Sequence, residues 1–577
     1  MRTLLNATAL VALISISSAQ VGSVVSQRKI GSTSGAFTGP LLDGDAFAIS
    51  VAALGDLDGD GIGDLAVGAH FDDDSGSNSG AVWILNLNPD GTVRSEKKIT
   101  ENQGGFFGDL NALDYFGRSV AALDDLDGNG IPELVVGAST GGGSRIGSVW
   151  ILFVDSDGSV QSHSRITKED LDGVVIGGDL FGSSVASLGD LDGDGVCDLA
   201  VGAIRDNDGG PQRGAVWIIF MEPDGAVKSH QKISNTQGSF SGELVDADQF
   251  GVSLTCLGDI DSDGVQDLGV GMNSKHIGSQ DGAIWILFLN TDGTVKGSQR
   301  ISRSSGGFVG ALDDGDLFGT SLVSVGDLDL DGTEDLAVGS TWDDDGGVNR
   351  GATWILFLDP DGTVKSQEKI SDATGGFHGV LDDSDELGSG LGFLGDQDHD
   401  GYPELAVGSV RDDDGGLDRG AVWILSLQPG PSASAQVYGC GVNPPGSMTI
   451  LSGVPSLGST IVFGIDNPIG TQSPGSIPAL ALAASPASEI PCGLIVPGLG
   501  MQGDGELLIS LRSRIGPLAV GFPWAGPGMP SPIALGIPAD PSLLGLTIYA
   551  QGIMYDPTVA LGVDFALTDA VELVIGP

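Results

Sequence analysis

The stretch Asp56-Leu57-Asp58-Gly59-Asp60-Gly61-Ile62-Gly63-Asp64 returns five more times, starting at Asp125, Asp190, Asp259, Asp327 and Asp396. The steps between copies are 69, 65, 69, 68 and 69 residues. Oxygen-bearing side chains hold positions 1, 3, 5 and 9, and position 6 is Gly every time. The first three sets are Asp56, Asp58, Asp60, Asp64; Asp125, Asp127, Asn129, Glu133; and Asp190, Asp192, Asp194, Asp198. The others are Asp259, Asp261, Asp263, Asp267; Asp327, Asp329, Asp331, Asp335; and Asp396, Asp398, Asp400, Glu404. Alternate residues of a tight loop can aim several carboxylates at one centre. A hard cation needs such a set, with six to eight oxygens at roughly 2.3–2.6 Å. The Gly at position 6 permits the sharp turn. The position-7 backbone carbonyl is expected to add a ligand, so Ile62, Ile131, Val196, Val265, Thr333 or Tyr402 serves equally well there. One such loop reads as an ordinary Asp/Gly turn. Six with the same four oxygen positions read as metal sites, about one Ca²⁺ per loop, since Mg²⁺ prefers near-octahedral sites with retained water.

Each acidic loop runs into Leu-Ala-Val-Gly or a close variant, a strand pattern, so the loops connect strand to strand. A whole unit has four strand-like runs. In the third unit they are Phe181–Leu188, Leu199–Ala203, Gly214–Phe220 and Val227–Ser234. β-branched and aromatic residues fill the runs and Gly punctuates them, so the chain reads as all-β. The third run carries a Trp at its fourth place: Trp83, Trp150, Trp217, Trp285, Trp354 and Trp423. Apolar residues flank each of them, which favours packing between sheets over a sugar-stacking platform. Acidic hairpins follow the second run, as at Asp72-Asp73-Asp74, Asp343-Asp344-Asp345 and Asp412-Asp413-Asp414. They read as solvated turns in which Arg350 or Arg419 pairs with an Asp.

Units of about 68 residues with four strands each imply a β-propeller of six repeats. The sixth unit shows no fourth run after Ser426-Leu427, and the chain before the first unit supplies a match. Val24-Val25-Ser26-Gln27-Arg28-Lys29-Ile30 parallels Val364-Lys365-Ser366-Gln367-Glu368-Lys369-Ile370. That segment is expected to pair with the strand holding Trp423, closing the ring and covering two open edges.

Phe116-Gly117, Phe181-Gly182, Phe250-Gly251 and Phe318-Gly319, each followed by the acidic loop, resemble the FG-GAP repeats of the integrin α-subunit N-terminal β-propeller. The resemblance covers roughly residues 23–427. It departs at Phe47-Ala48 and Leu387-Gly388, and the Gly-Ala-Pro element appears as Gly-Ala-Val-Trp or close variants. The resemblance implies seven blades as the alternative to six, cation loops that stiffen one face and recognition by the other loops.

The chain has 77 acidic and 25 basic residues and a formal net charge of −52. Nucleic acid and anionic membrane surfaces are poor partners for it. Residues 1–19 read as a signal peptide, with Arg2, the apolar run Leu4–Ile16 and Ser17-Ser18-Ala19. No later stretch holds 18 unbroken apolar residues, so the expected product is secreted, extracellular or at the cell surface, without a transmembrane segment. The expected division is 20–427 propeller, 428–436 linker and 437–577 a small β-sandwich-like domain. Residues 428–577 hold 20 of the 27 Pro, and beyond the linker there is no Lys and only Arg512 and Arg514. That region resembles C-terminal modules of secreted, repeat-rich bacterial proteins. Cys440 and Cys492 are expected to pair there; for Cys197 and Cys256 both a bridge and two separate thiols stay open, separate thiols being the plainer reading.

Function reads as a binding or adhesion module for an extracellular protein, a glycan or the cell envelope. There is no Gly-x-Ser-x-Gly elbow, and His70, His163, His230, His276, His378 and His399 are scattered, so no enzyme is expected. The alternatives are an extracellular hydrolase or lyase on the same scaffold, or a purely structural envelope protein.

Overall fold

The computed structural model describes residues 20–140, 146–167, 169–171, 178–273, 281–430, 434–438, 446–452, 455–456, 459–468, 474–485, 494–500, 503–509, 514–538, 543, 545–556 and 564–576. The expected signal segment, Cys440 and Cys492 lie outside them. The described residues separate into two compact units divided between Pro429 and Gly430, with Asp329–Asp331 grouped with the second.

The first unit is a β-propeller whose described residues form six four-stranded antiparallel sheets. Five take their strands in chain order, as in Phe181–Gly189, Asp198–Ala203, Ala215–Met221 and Val227–Ser234. The sixth is Leu387–Gly395, Glu404–Ser409, Ala421–Leu427 and, as its outermost strand, Val24–Gly31. Lys29 lies opposite Trp423 and Ile30 opposite Val422, the expected closure. The two segments also exchange Gly22 N–H to Gln428 O and Gln428 N–H to Ser23 O, both 2.8 Å.

The first strands surround a central channel. A serine on each bonds a carbonyl of the next sheet: Ser50 to Gly117, Ser119 to Gly182, Ser184 to Gly251, Ser253 to Gly319, and Ser321 to Gly388, at 2.6–3.1 Å. The sixth, Ser389, reaches Ala48 of the first sheet at 3.3 Å, so the ring of hydroxyls closes on itself. The Phe-Gly pair has a steric reason. Gly117 has φ +86°, and a Cβ there would stand 2.3 Å from the Ala81 carbonyl oxygen. Ala48 replaces this Gly in the first repeat and keeps the positive φ, at 74°.

The six tryptophans are 2–7% exposed and fill the space between sheets, as expected. Five meet a phenylalanine from the connection entering their sheet edge-on: Phe37, Phe106, Phe240, Phe308 and Phe377, with centroids 5.0–5.2 Å apart. Cys197 and Cys256 are free thiols.

The second unit is also built of strands. Ser434–Tyr438, Asp564–Val574, Thr547–Asp556, Ile477–Ala483 and Arg514–Val520 form one sheet in that order. Met448–Ser452, Thr460–Ile465 and Ser531–Gly536 form another, and the hairpin of Leu494–Gly500 with Gly503–Leu507 lies against Asp564–Val574 of the larger sheet. Ile461, Phe463 and Ile465 of the smaller sheet share a core with Leu480, Met554 and Val571 of the larger one, a sandwich-like packing. Ser434–Gln436, within the stretch read as linker, are already strand, paired with Val574–Glu572.

Candidate functional site

Four-stranded antiparallel connectivity puts the links between first and second strands at one end of each sheet, and those between second and third at the other. The acidic loops take the first place and the Asp hairpins the second.

In the loops, the position-1 carboxylate accepts backbone N–H groups from positions 5 and 6. Asp56 takes Asp60 and Gly61 at 2.9 Å. Asp190 takes Asp194 and Gly195, and Asp259 takes Asp263 and Gly264, at 2.7–2.9 Å. The position-5 oxygen accepts the N–H of position 7, as Asp60 from Ile62 and Asn129 from Ile131. Gly at position 6 has φ of 86–96°, the left-handed turn the sequence implied. Ligand atoms of Asp56, Asp58 and Asp64 all lie within 4.8 Å of one another, as do those of Asp125, Asp127 and Glu133. In the third and fourth loops the sets so gathered are Asp190, Asp192, Asp194 and Asp259, Asp261, Asp263, without the position-9 residue. In the fifth loop Asp327 accepts Gly332 N–H as its counterparts do, and in the sixth Asp396 accepts Gly401 N–H.

Position 9 has a second duty that spacing alone does not reveal. Asp64, Asp198, Asp267 and Asp335 are at most 1% exposed. In each, one oxygen accepts the N–H of loop position 2 and the other an N–H at the far end of the third strand. For Asp198 the donors are Leu191 at 3.0 Å and Met221 at 3.1 Å. Burial lifts the Asp64, Asp198 and Asp267 carboxyls to about 6, against the pull of these N–H donors. Glu133 and Glu404 rise to about 7 for the same first reason.

The sequence reading also missed basic residues beside the loops. Arg94, Lys228 and Lys296 are the second residues of their outermost strands. Arg94 pairs with Asp58 and Asp60, Lys228 with Asp192 and Asp194, and Lys296 with Asp261 and Asp263. The equivalent places in the second and sixth sheets are Gln161 and Val25. Among the described residues, no Lys or Arg pairs with an acid of the second loop. Two buried oxygens facing the loops, Asp58 Oδ1 and Glu133 Oε1, have no hydrogen-bond partner. Oxygen-only donors, gathered carboxylates and partnerless oxygens fit a hard divalent cation.

The hairpins at the other end correct the solvated-turn expectation. Their first acids, Asp72, Asp206, Asp343 and Asp412, are 1–3% exposed. Each pairs with a lysine of the outermost strand: Lys98, Lys232, Lys369 and Lys29. Each lysine also lies 5.2–5.5 Å from a sheet tryptophan's ring centroid. Once paired this closely, the hairpins are structural clasps. The arginines do pair, but with acids beyond their own hairpins: Arg350 with Asp372 and Asp383, and Arg419 with Asp43.

Near these clasps, burial pushes the carboxyls of Asp316 and Asp385 up to about 7. Their ordinary value is about 3.9. Between those limits the folded state holds protons that the unfolded state has released, so stability falls as pH rises from about 4 to about 7 and then levels. Asp385→Asn removes one such group. Thermal melts at pH 5 and pH 8 are expected to show a smaller drop for this variant than for the wild type; equal drops would rule out the titration of Asp385.

The FG-GAP repeat family model matches residues 47–85, 116–152 and 181–219. Integrin alpha-5 of Xenopus laevis is 41% identical over 92 residues, 16% of this chain and 8% of that protein. Integrin alpha-PS2 of Drosophila melanogaster is 32% identical over 230 residues, 38% and 15% of the two chains. Phosphatidylinositol-glycan-specific phospholipase D of Rattus norvegicus is 30% identical over 208 residues, 35% and 24% of the two chains. The match thus spans less than a quarter of each of these relatives. The matched segments each run from a first strand through its acidic loop into the Trp-bearing third strand. By motif, sheet order and relatives, the chain carries FG-GAP repeats and resembles the integrin α N-terminal domain.

Proposed function

We propose that the chain is a secreted, calcium-binding β-propeller that acts as an adhesion or ligand-binding module for an extracellular protein, a glycan or the cell envelope. The FG-GAP and integrin α resemblance supports the coarser part, a ligand-binding or adhesion-type propeller. The calcium reading rests on one observation: the same oxygen set recurs in six loops, several of which gather three carboxylates within 4.8 Å. Secretion is supported by the apolar N-terminal segment and by the cation demand of the loops. No helix among the described residues is long and apolar enough to cross a membrane. Candidate ligands are Asp56, Asp58, Asp60 and Asp64 and their counterparts through Glu404, with the position-7 carbonyl. Bound Ca²⁺ supplies the counter-charge that lets the loops' carboxylates stay ionised and close together.

A non-enzymatic role is part of the proposal. One relative is a phospholipase, so phosphodiesterase and glycan-lyase assays belong beside the binding screen; turnover would replace the module reading with a catalytic one. The screen presents protein and glycan arrays to the full chain with and without Ca²⁺. Calcium-dependent capture of a defined ligand is the expected result. Lys228→Met tests the basic partner of the third loop. Lys228 shares the Asp192 and Asp194 oxygens with any bound cation, so its removal is expected to lower the Ca²⁺ midpoint of thermal stabilisation a few-fold. An unchanged midpoint would show that this ammonium does not compete with the ion.

A further inference from the structure

The channel mouth at the hairpin end holds a cavity of roughly 550 Å³, within the range of small-molecule sites. Its rim includes the residue preceding the Phe-Gly pair. That position is left-handed in every repeat, at Ala46, Tyr115, Leu180, Gln249, Leu317 and Glu386, with φ of 54–58°. Two places beyond Phe47 and its counterparts a residue of each repeat lines the same axis, and five of the six are uncharged: Ile49, Ser183, Val252, Thr320 and Ser389. The sixth is Arg118.

Arg118 lines both the channel and the cavity. Its guanidinium makes no hydrogen bond or ion pair with any described residue. Burial alone lowers its pKa, with no carboxylate acting against that. This is unusual in a chain of net charge −52. Across the mouth Arg411 is taken by Glu386 at 3.3 Å, with Asp418 beside them on the rim. Next to Arg118 stands an aromatic group. Phe71 and Tyr115 have centroids 5.5 Å apart at 67°, and His70 stacks 3.8 Å from Phe71. Phe71 is 38% exposed. His70 is 7% exposed, its Nδ1 has no partner, and burial with the Arg118 charge holds it neutral. Arg118 is half-buried; a cation drawn partly out of water without an anion is costly, and a planar carboxylate is the ligand a guanidinium fork fits best.

We infer that this cavity binds a carboxylate carried on an apolar or aromatic body, with Arg118 holding the carboxylate and Phe71 and Tyr115 the body. The inference rests on the ligand-binding reading of the propeller but not on calcium occupancy of the loops. The carboxylate comes either from a small molecule or from the C-terminus of a peptide.

The test is calorimetric titration of the full chain in Ca²⁺ buffer. The probes are 3-phenylpropionate, 3-phenylpropionamide, and a short peptide ending in Phe as free acid and as amide. Binding of at least one acid is expected, and the better acid identifies the source. Each amide is expected to bind about ten- to a hundredfold more weakly than its acid, the value of a hydrogen-bonded charge. Arg118→Ser places at this position a residue the third and sixth repeats already carry there, and it is expected to abolish the acid–amide difference. Tyr115→Ala is expected to weaken whichever acid binds. If neither acid binds, if the amides bind as tightly, or if Arg118→Ser binds the acids like the wild type, the site is not a carboxylate site. Such a failure would leave the calcium and array results as they stand, so it is distinguishable from failure of the module reading.

Discussion

In chelator the propeller is expected to melt more than about 10 °C below its melting temperature in 10 mM Ca²⁺. The size follows from mass action. Extracellular calcium modules bind with Kd on the order of 10⁻⁴–10⁻³ M. At 10 mM Ca²⁺ each such site adds about 1.4–2.7 kcal/mol to the folded state. A handful of sites therefore contributes on the order of 10 kcal/mol, comparable to the whole stability of an ordinary domain. The loops are not equal partners in this. The first, third and fourth carry Arg94, Lys228 or Lys296 as a permanent counter-charge. By side-chain charge alone the second loop ranks as the weakest binder, because Asn129 leaves it one charge short. The basic partners reduce its three neighbours by the same one charge, so that ranking loses its basis. The sixth loop has four carboxylates, Asp396, Asp398, Asp400 and Glu404, and Val25 where the first, third and fourth sheets place a base. Its occupancy is expected to govern the steepest part of the titration, since sheet six also carries the strand that closes the ring. Differential scanning calorimetry against Ca²⁺ concentration, with EDTA as the reference, measures this directly. Superimposed melts with chelator and with excess Ca²⁺ would reduce the loops to ordinary turns.

The fold was legible because its signals repeat. A strand after each acidic loop, a Trp-bearing strand after each hairpin and a displaced copy of the fourth strand at Val24–Ile30 each occur at a fixed spacing, and spacing survives without coordinates. What the sequence hid was pairing between distant, unremarkable residues. A serine three places after Phe in a strand looks like any polar strand residue, yet Ser50, Ser119 and their counterparts bond sheet to sheet around the axis. Lys228 lies 30 residues beyond the loop it serves, and only the antiparallel return of the fourth strand brings it back. Arg118 escaped notice because it is a single departure in a position that is otherwise uncharged. The hairpin acids were read as solvated because Asp-Asp-Asp is hydrophilic. A lysine that lies along a tryptophan and ends between two carboxylates makes burial tolerable, and that arrangement has no local sequence signature. In the loops, spacing identified which residues carry oxygen, but not which of those oxygens the backbone also uses.

That last distinction separates two single substitutions in the third loop. Asp190→Ala removes an exposed carboxylate whose N–H partners, Asp194 and Gly195, are themselves exposed and can turn to water. In EDTA this variant is expected to melt at or slightly above the wild-type temperature, because one like charge has left the cluster. In Ca²⁺ it is expected to lose the contribution of one site. Asp198→Ala removes a carboxylate that is 1% exposed and accepts Leu191 N–H and Met221 N–H inside the sheet. Leu191 and Met221 are both buried, so each amide is left unsatisfied at about 1–3 kcal/mol. The loss is therefore about 2–6 kcal/mol, present with chelator as well as with calcium. Four melts decide the matter, each variant in EDTA and in 10 mM Ca²⁺. The expected pattern is a calcium-only defect for Asp190→Ala and a defect in both buffers for Asp198→Ala. If Asp198→Ala matches the wild type in EDTA, the position-9 carboxylate serves only a cation and its two backbone bonds carry no net stability. If Asp190→Ala is as damaging in EDTA as in Ca²⁺, position 1 is part of the turn's framework, and the division between ligand and clamp within this nine-residue loop fails.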